Sequence, residues 1–148
     1  ITLGTMDGAN VEIVERVGFE NAEIFGLRVE DVDHFKQENS YNVWQYYDTH
    51  YEIKRVVDTL TDGTFSADPQ DFRIIYNELM FKNDEFFVLA DFNAYREAQE
   101  RVERRYQDKQ GWARMCLVNI AKSGFFSSDR TIQQYADEIW HINPIDVK

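Results

Sequence analysis

The chain has 148 residues, 43% of them hydrophobic and 15% aromatic, which suits one folded domain and is too short for a multidomain enzyme. Its formal net charge of −11 disfavours nucleic acid and anionic lipid as partners, because both would be repelled. No apolar run approaches the ~20 residues that span a bilayer, the start lacks the basic residues of a signal peptide, and the single cysteine, Cys116, favours a reducing, cytoplasmic location.

Residues 1–28 have the pattern of a strand, a turn, a helix and a second strand. Residues 1–3 are β-prone, the turn at 4–8 is bounded by glycines, and Asp7 is the expected N-cap of a helix that Gly18 ends. A second β-prone stretch at 23–25 completes a predicted βαβ unit with parallel strands. Two short strands cannot bury both faces, so the sheet is expected to continue outside this chain and to leave an edge for self-association.

Residues 29–148 are predicted to form a helical flank, so the chain is mainly α-helical with two or three short strands at its start. The clearest stripe places Ile53, Val56, Val57 and Leu60 at helical spacing before Gly63. Asp68-Pro69 is expected to cap and begin the next helix. The run 86–89 is apolar and expected to be buried, either extended or as one helical turn.

The last third predicts three more helices. Asp91 is expected to start the first, with Glu97–Arg101 and Glu100–Arg104 as i,i+4 ion pairs and an inner face of Tyr95, Ala98, Val102 and Tyr106. The second, over 112–122, is apolar nearly all round. Ser127, Ser128 and Asp129 should cap the third, which Asn143-Pro144 should end. Its apolar residues, expected to point inward, are Ile132, Tyr135, Ala136, Ile139 and Trp140.

The residue types that commonly act in catalysis or metal binding do not form a recognisable pattern in this sequence. His34, His50 and His141 are far apart in sequence and lack a second ligand at metal-binding spacing. Cys116 lies in an apolar setting that favours an unreactive thiol. Residues 127–130 are better explained as helix caps than as a modification or catalytic site. We therefore assign no catalytic, cofactor-binding or metal-binding residue.

The turn at 4–8 has the one geometry that could bind a ligand. A glycine turn between a strand and a helix can present backbone N–H groups to a phosphate. However, the spacing is not that of a dinucleotide or P-loop motif, and Asp7 would place a carboxylate where the phosphate would bind. A structural role is the favoured interpretation, with a ligand role kept open.

Two long motifs resemble those of the α-glucan (glycogen, starch or maltodextrin) phosphorylases. The run TLGTMDGANVEI at 2–13 resembles the family's segment after its cofactor-binding lysine, and SGFFSSDRTI at 123–132 resembles its terminal signature. Shorter matches between them, including EIFGL at 23–27 and WAR at 112–114, occur in the family's order. The resemblance covers essentially the whole chain.

This resemblance implies an α/β parent with two Rossmann-like domains, of which residues 1–148 would be the C-terminal part of the cofactor-binding domain. Such enzymes use pyridoxal phosphate to cleave a terminal α-1,4 bond of a glucan with phosphate, releasing glucose 1-phosphate. The parent is expected to be a homodimer.

The resemblance does not transfer the cofactor lysine to this chain. That lysine lies in the family's EASGT-x-NMK motif, a few residues before the segment that Ile1 begins. The six lysines lie outside such a context: Lys36, Lys54, Lys82, Lys109, Lys122 and Lys148. The chain is therefore expected to be a structural, inactive fragment without bound cofactor.

Two alternatives remain open at this stage. The chain could be a stand-alone interaction or regulatory module with the same fold. It could also be a glucan-binding domain that stacks sugars on exposed aromatic residues, which we rank last because the aromatics mostly follow core spacing.

Overall fold

A computed structural model describes residues 1–143 and 145. Most of these residues are helical, and the two strands form a small sheet near the start. The strands and helices in chain order are β1 (Leu3–Gly4), α1 (Ala9–Val17), β2 (Glu23–Ile24), α2 (Val29–Glu38), α3 (Val43–Thr49), α4 (Tyr51–Asp58), α5 (Arg73–Met80), α6 (Phe92–Gln107), α7 (Lys109–Ser123) and α8 (Ser128–Gln134). Short 3₁₀ turns occupy Phe19–Asn21 and Gly124–Phe126, and a π-helical turn, Tyr135–Trp140, continues α8.

The βαβ prediction is confirmed. Strands β1 and β2 are parallel, with Leu3 opposite Glu23 and Gly4 opposite Ile24. Glu23 donates its N–H to the carbonyl of Thr2 at 2.8 Å, and Gly18 ends α1 with φ 84°, a conformation that suits glycine.

The predicted cap of α1 is wrong by one residue. Gly8 is the N-cap, with φ 49°, and the helix begins at Ala9. The Asp7 carboxylate instead accepts a hydrogen bond from the Thr5 hydroxyl at 3.0 Å, while the Asp7 carbonyl accepts from Asn10 N–H at 3.1 Å. The positive φ of Gly8 turns the chain between Asp7 and the helix, so the Asp7 side chain closes the turn.

Two separate hydrophobic clusters form the core. The smaller joins the βαβ unit to α7 through Val14, Val17, Ala22 and the partly buried Val118. The larger lies among α2–α5 and the segment that follows them; its buried residues are Tyr41, Val43, Ile53, Val57, Met80, Phe87 and Leu89. Helix α6 begins beside the larger cluster and packs along β2, where the rings of Phe25 and Tyr95 lie 5.3 Å apart.

The helix at Asp68-Pro69 begins later than predicted. Asp68 Oδ1 accepts from Gln70 N–H at 2.9 Å in a local turn, and α5 begins only at Arg73. A short side chain that bonds its own backbone competes with helix formation, which explains the shift. Helix α4 likewise ends at Asp58, before Gly63, and Val56 is exposed.

The apolar run at 86–89 is only half buried. It forms turns in which Phe87 and Leu89 are buried while Phe86 and Val88 are exposed. Asp84, itself buried, accepts backbone hydrogen bonds from Val88 at 3.0 Å and Leu89 at 2.7 Å, and so shapes the run.

The inward orientation predicted for the last helix is wrong within the described chain. Ile132, Tyr135, Ile139 and Trp140 are all exposed. Ser127 occupies the N-cap position but makes no side-chain cap bond, and α8 passes into the π-helical turn before His141, at φ 51°. A stripe specifies the apolar face of a helix but not the surface that covers it. Pro144, half of the predicted terminator, lies outside the described residues.

Candidate functional site

The turn at 4–8 is held together by Asn10 of α1. Its side-chain amide donates to the Thr5 carbonyl at 2.9 Å and lies against Gly4. A Cβ atom added at Gly4 would approach the Asn10 amide nitrogen to 2.5 Å, so a larger residue there would have to displace the Asn10 side chain.

The polar groups of this turn bond mainly to one another. Two N–H groups at the start of α1 already donate to backbone carbonyls. Asn10 N–H donates to the Asp7 carbonyl at 3.1 Å, and Val11 N–H donates to the Gly8 carbonyl at 3.3 Å. The Asp7 carboxylate accepts from Thr5 within the same turn, and Glu12 lies in the first turn of α1. This arrangement supports the structural interpretation, because an anion would meet two carboxylates near N–H groups already engaged.

The sequence patterns did not indicate that β2 carries a buried carboxylate. Glu23 is 5% exposed, and its Oε1 accepts from Arg101 Nε of α6 at 2.5 Å. Its Oε2 lies 3.5 Å from a terminal nitrogen of Arg105 but accepts no hydrogen bond within the described chain. The two arginines are one helical turn apart, so α6 presents two positive charges to one strand residue.

This contact corrects the predicted Glu97–Arg101 pair. Arg101 turns toward the sheet and binds Glu23, whereas the predicted Glu100–Arg104 pair is present at 3.9 Å. A buried carboxylate offers a stronger hydrogen bond than an exposed neighbour on the same helix, because water screens the exposed pair. Helical spacing carries no information about a partner 78 residues away.

Asp91 has a tertiary role besides its place before α6. Its side chain makes no cap bond to the helix; Oδ1 accepts from Leu27 N–H at 2.7 Å, just after β2. Burial raises the pKa of this carboxyl, and the Leu27 hydrogen bond opposes that rise. Asp91 thereby joins the end of the βαβ unit to the start of α6.

The histidines and the cysteine occupy ordinary positions. His34 lies 3.3 Å from Glu38, while ring nitrogens of His50 and His141 lie within hydrogen-bond distance of carbonyls one turn earlier. Cys116 is a half-buried free thiol. In residues 1–143 and 145, no cluster of three or more His, Cys, Asp or Glu side chains is arranged to hold a metal ion.

The described lysines make polar and aromatic contacts at separate places in the fold. The hydrogen bonds that Lys54 donates to Tyr47 and Asp58 raise the pKa of Lys54, and the hydrogen bond that Lys82 donates to Glu78 raises the pKa of Lys82. A Schiff base requires a neutral amine, so the raised pKa values oppose that chemistry. Lys109 lies over the Tyr106 ring, Lys36 is at a longer distance from Phe87, and Lys122 is in the last turn of α7. Lys148 lies outside the described residues.

Across the described part of the chain, every helix is too short or too polar to cross a membrane. The chain consists of a short parallel βαβ unit and a helical flank, which are joined by the contacts of Glu23 with Arg101 and of Leu27 with Asp91.

Comparison with known proteins defines the family. A sequence model of the family described as "Carbohydrate phosphorylase" matches residues 1–142. Glycogen phosphorylase of Bacillus subtilis is 43% identical over 98% of this chain, and the muscle form of Bos taurus is 51% identical over 97%. The human brain form is 48% identical over 100% of this chain.

The chain belongs to the carbohydrate phosphorylase family. It spans 17–18% of the length of these relatives, as a fragment would. These findings confirm the resemblance inferred from the two terminal motifs.

Proposed function

We propose that this chain forms the C-terminal part of the cofactor-binding domain in an α-1,4-glucan phosphorylase, where it is structural and has no activity alone. The observation that carries the proposal is the family match, which runs through residues 1–142 while the chain spans 17–18% of its relatives. The remainder of such a protein would supply the lysine and the substrate contacts.

The reaction assigned to the parent is phosphorolysis. Phosphate takes the terminal glucosyl unit from a glucan, so that one α-1,4 bond breaks, one sugar–phosphate bond forms and the glucan leaves one unit shorter. Pyridoxal phosphate supplies a phosphate group for proton exchange when bound. We assign this chain no site residue and no bound cofactor.

Within the parent, this chain would stabilise the carboxyl end of one sheet strand. In open α/β sheets, ligands bind beyond the carboxyl ends of the strands. The Asn10–Thr5 hydrogen bond orders the turn after β1, and the pair formed by Glu23 and Arg101 holds β2 against α6. Their contribution would be to order one edge of the cofactor-binding domain.

Several further properties belong to the same proposal. The parent would form a homodimer in the cytoplasm, in keeping with the single cysteine. The exposed apolar residues of α7 and the π-helical turn would contact the rest of the parent polypeptide, because hydrophobic surface of this extent indicates a contact region.

Complementation tests this proposal. A Bacillus subtilis glycogen phosphorylase lacking its matching segment would be mixed with this chain, glycogen, phosphate and pyridoxal phosphate, and glucose 1-phosphate would be measured. We expect activity only when both polypeptides are present. Glucose 1-phosphate release by the 148-residue chain alone would refute the structural role. A failure to restore activity, with both polypeptides folded and associated, would favour the stand-alone module.

A further inference from the structure

Four aromatic side chains form a continuous row on the helical flank, in which the two middle rings are exposed and the two end rings are partly buried against the larger core cluster. The row, in spatial order, consists of Tyr47, Trp44, Phe81 and Tyr76. Successive ring centroids lie 5.6, 6.2 and 6.1 Å apart, with interplanar angles of 77°, 64° and 68°. We call this set the aromatic row.

The centre of the row is exposed although its backbone is anchored in the core. Trp44 is 38% exposed and Phe81 is 69% exposed, whereas the residues just before them, Val43 and Met80, are fully buried. The buried neighbours restrain the backbone on which the exposed rings stand. This surface is therefore ordered before any ligand binds, which lowers the entropic cost of binding.

Polar groups close both ends of the row. At one end Lys54 lies 4.3 Å from the Tyr47 ring and donates to the Tyr47 hydroxyl at 2.6 Å and to Asp58 at 2.9 Å. At the other end the Arg73 guanidinium lies 5.6 Å from the Tyr76 ring. An apolar strip of rings thus lies between hydrogen-bonding groups.

We propose that the aromatic row is a binding surface for an α-1,4-glucan chain. A pyranose ring has apolar C–H faces and hydroxyl groups around its edge, which suit aromatic rings flanked by charged side chains. The rings are steeply inclined to one another and form a bent surface, and an α-1,4-glucan chain is itself bent. The choice of glucan rests on the proposed function, since the relatives are named for glycogen.

Charge also favours this ligand over other polymers. A neutral glucan meets no repulsion from a chain of net charge −11, whereas a nucleic acid would be repelled. The two cations lie at the ends of the row. Aromatic residues follow core spacing in the sequence, and only the fold shows that these rings reach the surface.

Affinity electrophoresis of the 148-residue chain tests the proposal, with native gels containing glycogen and matched gels containing dextran. We expect glycogen to retard the chain and dextran, an α-1,6 polymer, to retard it less. The Trp44→Ala/Phe81→Ala variant should bind glycogen at least about tenfold more weakly, a difference of about 1.4 kcal/mol. The matched control is Phe19→Ala, which removes an aromatic ring that is 59% exposed on the βαβ unit. Far-ultraviolet circular dichroism checks that each variant is folded.

Three outcomes would overturn the proposal. One is an unchanged mobility of the folded chain in glycogen, and a second is equal retardation of the double variant and the Phe19→Ala control. The third, measured in a Trp112→Phe/Trp140→Phe background so that only Trp44 fluoresces, is protection of Trp44 from acrylamide quenching by a second copy of the chain or by the truncated relative, with no protection by glycogen. In that case the row is a protein contact.

Gel retardation does not require catalysis, so its result is independent of the complementation assay. Restored activity without retardation would refute the aromatic row and keep the proposed function. Retardation without restored activity would refute the proposed function and keep a glucan-binding surface.

Discussion

At the scale of single residues, Gly26 and Gly124 differ in the backbone conformation that each adopts. Gly26 has φ 81°, and a Cβ atom there would approach the Asp91 carboxylate to 2.6 Å. Gly124 is helical, and a Cβ atom there would meet nothing within 4 Å. The two positions therefore predict opposite effects of the same substitution.

We expect Gly26→Ala to lower the free energy of unfolding by at least about 1–2 kcal/mol, the cost of a left-handed conformation for a residue with a side chain. Displacement of Asp91 from Leu27 would add to this loss. Gly124→Ala should change stability by no more than about 1 kcal/mol, and in the stabilising direction. Urea unfolding followed by circular dichroism would measure both, and equal effects would contradict the assigned conformations.

Tyr41 predicts a dependence of stability on alkaline pH. Its hydroxyl donates to the buried Asp84 carboxylate at 2.7 Å, and burial, followed by that hydrogen bond, raises the pKa of Tyr41. The folded state holds this proton more tightly than the unfolded state does. The resulting stabilisation is complete below the unfolded pKa of about 10 and is lost as pH rises above it.

Tyr41→Phe should therefore unfold with a weaker pH dependence above pH 10, by up to about 1.4 kcal/mol per pH unit. Tyr51→Phe is the control, since Tyr51 is 77% exposed. Urea midpoints measured between pH 8 and pH 11 would give the three slopes. Equal slopes for the unsubstituted 148-residue chain and for Tyr41→Phe would show that the Tyr41 proton is not linked to folding.

At the scale of elements, the contact between β2 and α6 depends on a buried charge. Arg101→Met would leave Glu23 without its hydrogen-bonded partner, and breaking a buried pair costs about 3–5 kcal/mol. Because the Arg101 side chain is 39% exposed, we expect a value at or below the lower end of that range.

The double variant Glu23→Leu/Arg101→Met should recover most of this loss, because it removes the buried carboxylate together with its hydrogen-bonded partner and leaves only the partly exposed Arg105. Arg104→Met is the control, since Arg104 pairs with Glu100 at 3.9 Å on an exposed face. Thermal and urea unfolding of Glu23→Leu, Arg101→Met and the double variant would give the coupling energy. A loss after Arg101→Met no larger than after Arg104→Met would contradict a stabilising role for this contact.

The positions of most elements could be predicted because they depend on local pattern. Gly18 ends α1, the Ile53 and Val57 stripe is buried in α4, and the two β-prone stretches pair in parallel. The capping errors at Asp7 and Asp68 arose because both side chains bond within a turn beside the expected helix start. Such turns compete with caps for the same residues, and the sequence pattern is the same for both.

At the scale of the whole molecule, apolar residues of α7, α8 and the π-helical turn remain uncovered in the described chain. Five of them are between 53% and 69% exposed: Leu117, Ile120, Ile132, Ile139 and Trp140. We expect the isolated chain to bind a hydrophobic fluorescent dye and to self-associate in a concentration-dependent manner. Self-association through the sheet edge remains a prediction as well.

Ile120→Glu/Ile139→Glu should reduce dye binding and the average mass in sedimentation without loss of helix. Ile74→Glu is the matched control, because Ile74 and Ile120 are each 69% exposed while Ile74 lies on α5. If the unsubstituted 148-residue chain is strictly monomeric and binds no dye, the prediction is wrong.

The sequence by itself determined the family, the parallel βαβ start and the helical content, because motifs, strand propensity and helical periodicity are local properties. Only the tertiary structure decided that Glu23 meets Arg101, that Asp91 binds Leu27 N–H and that Trp44 and Phe81 stand side by side at the surface. Each of these contacts joins residues 37 to 78 positions apart, and no local pattern specifies which distant side chains meet when the helices pack.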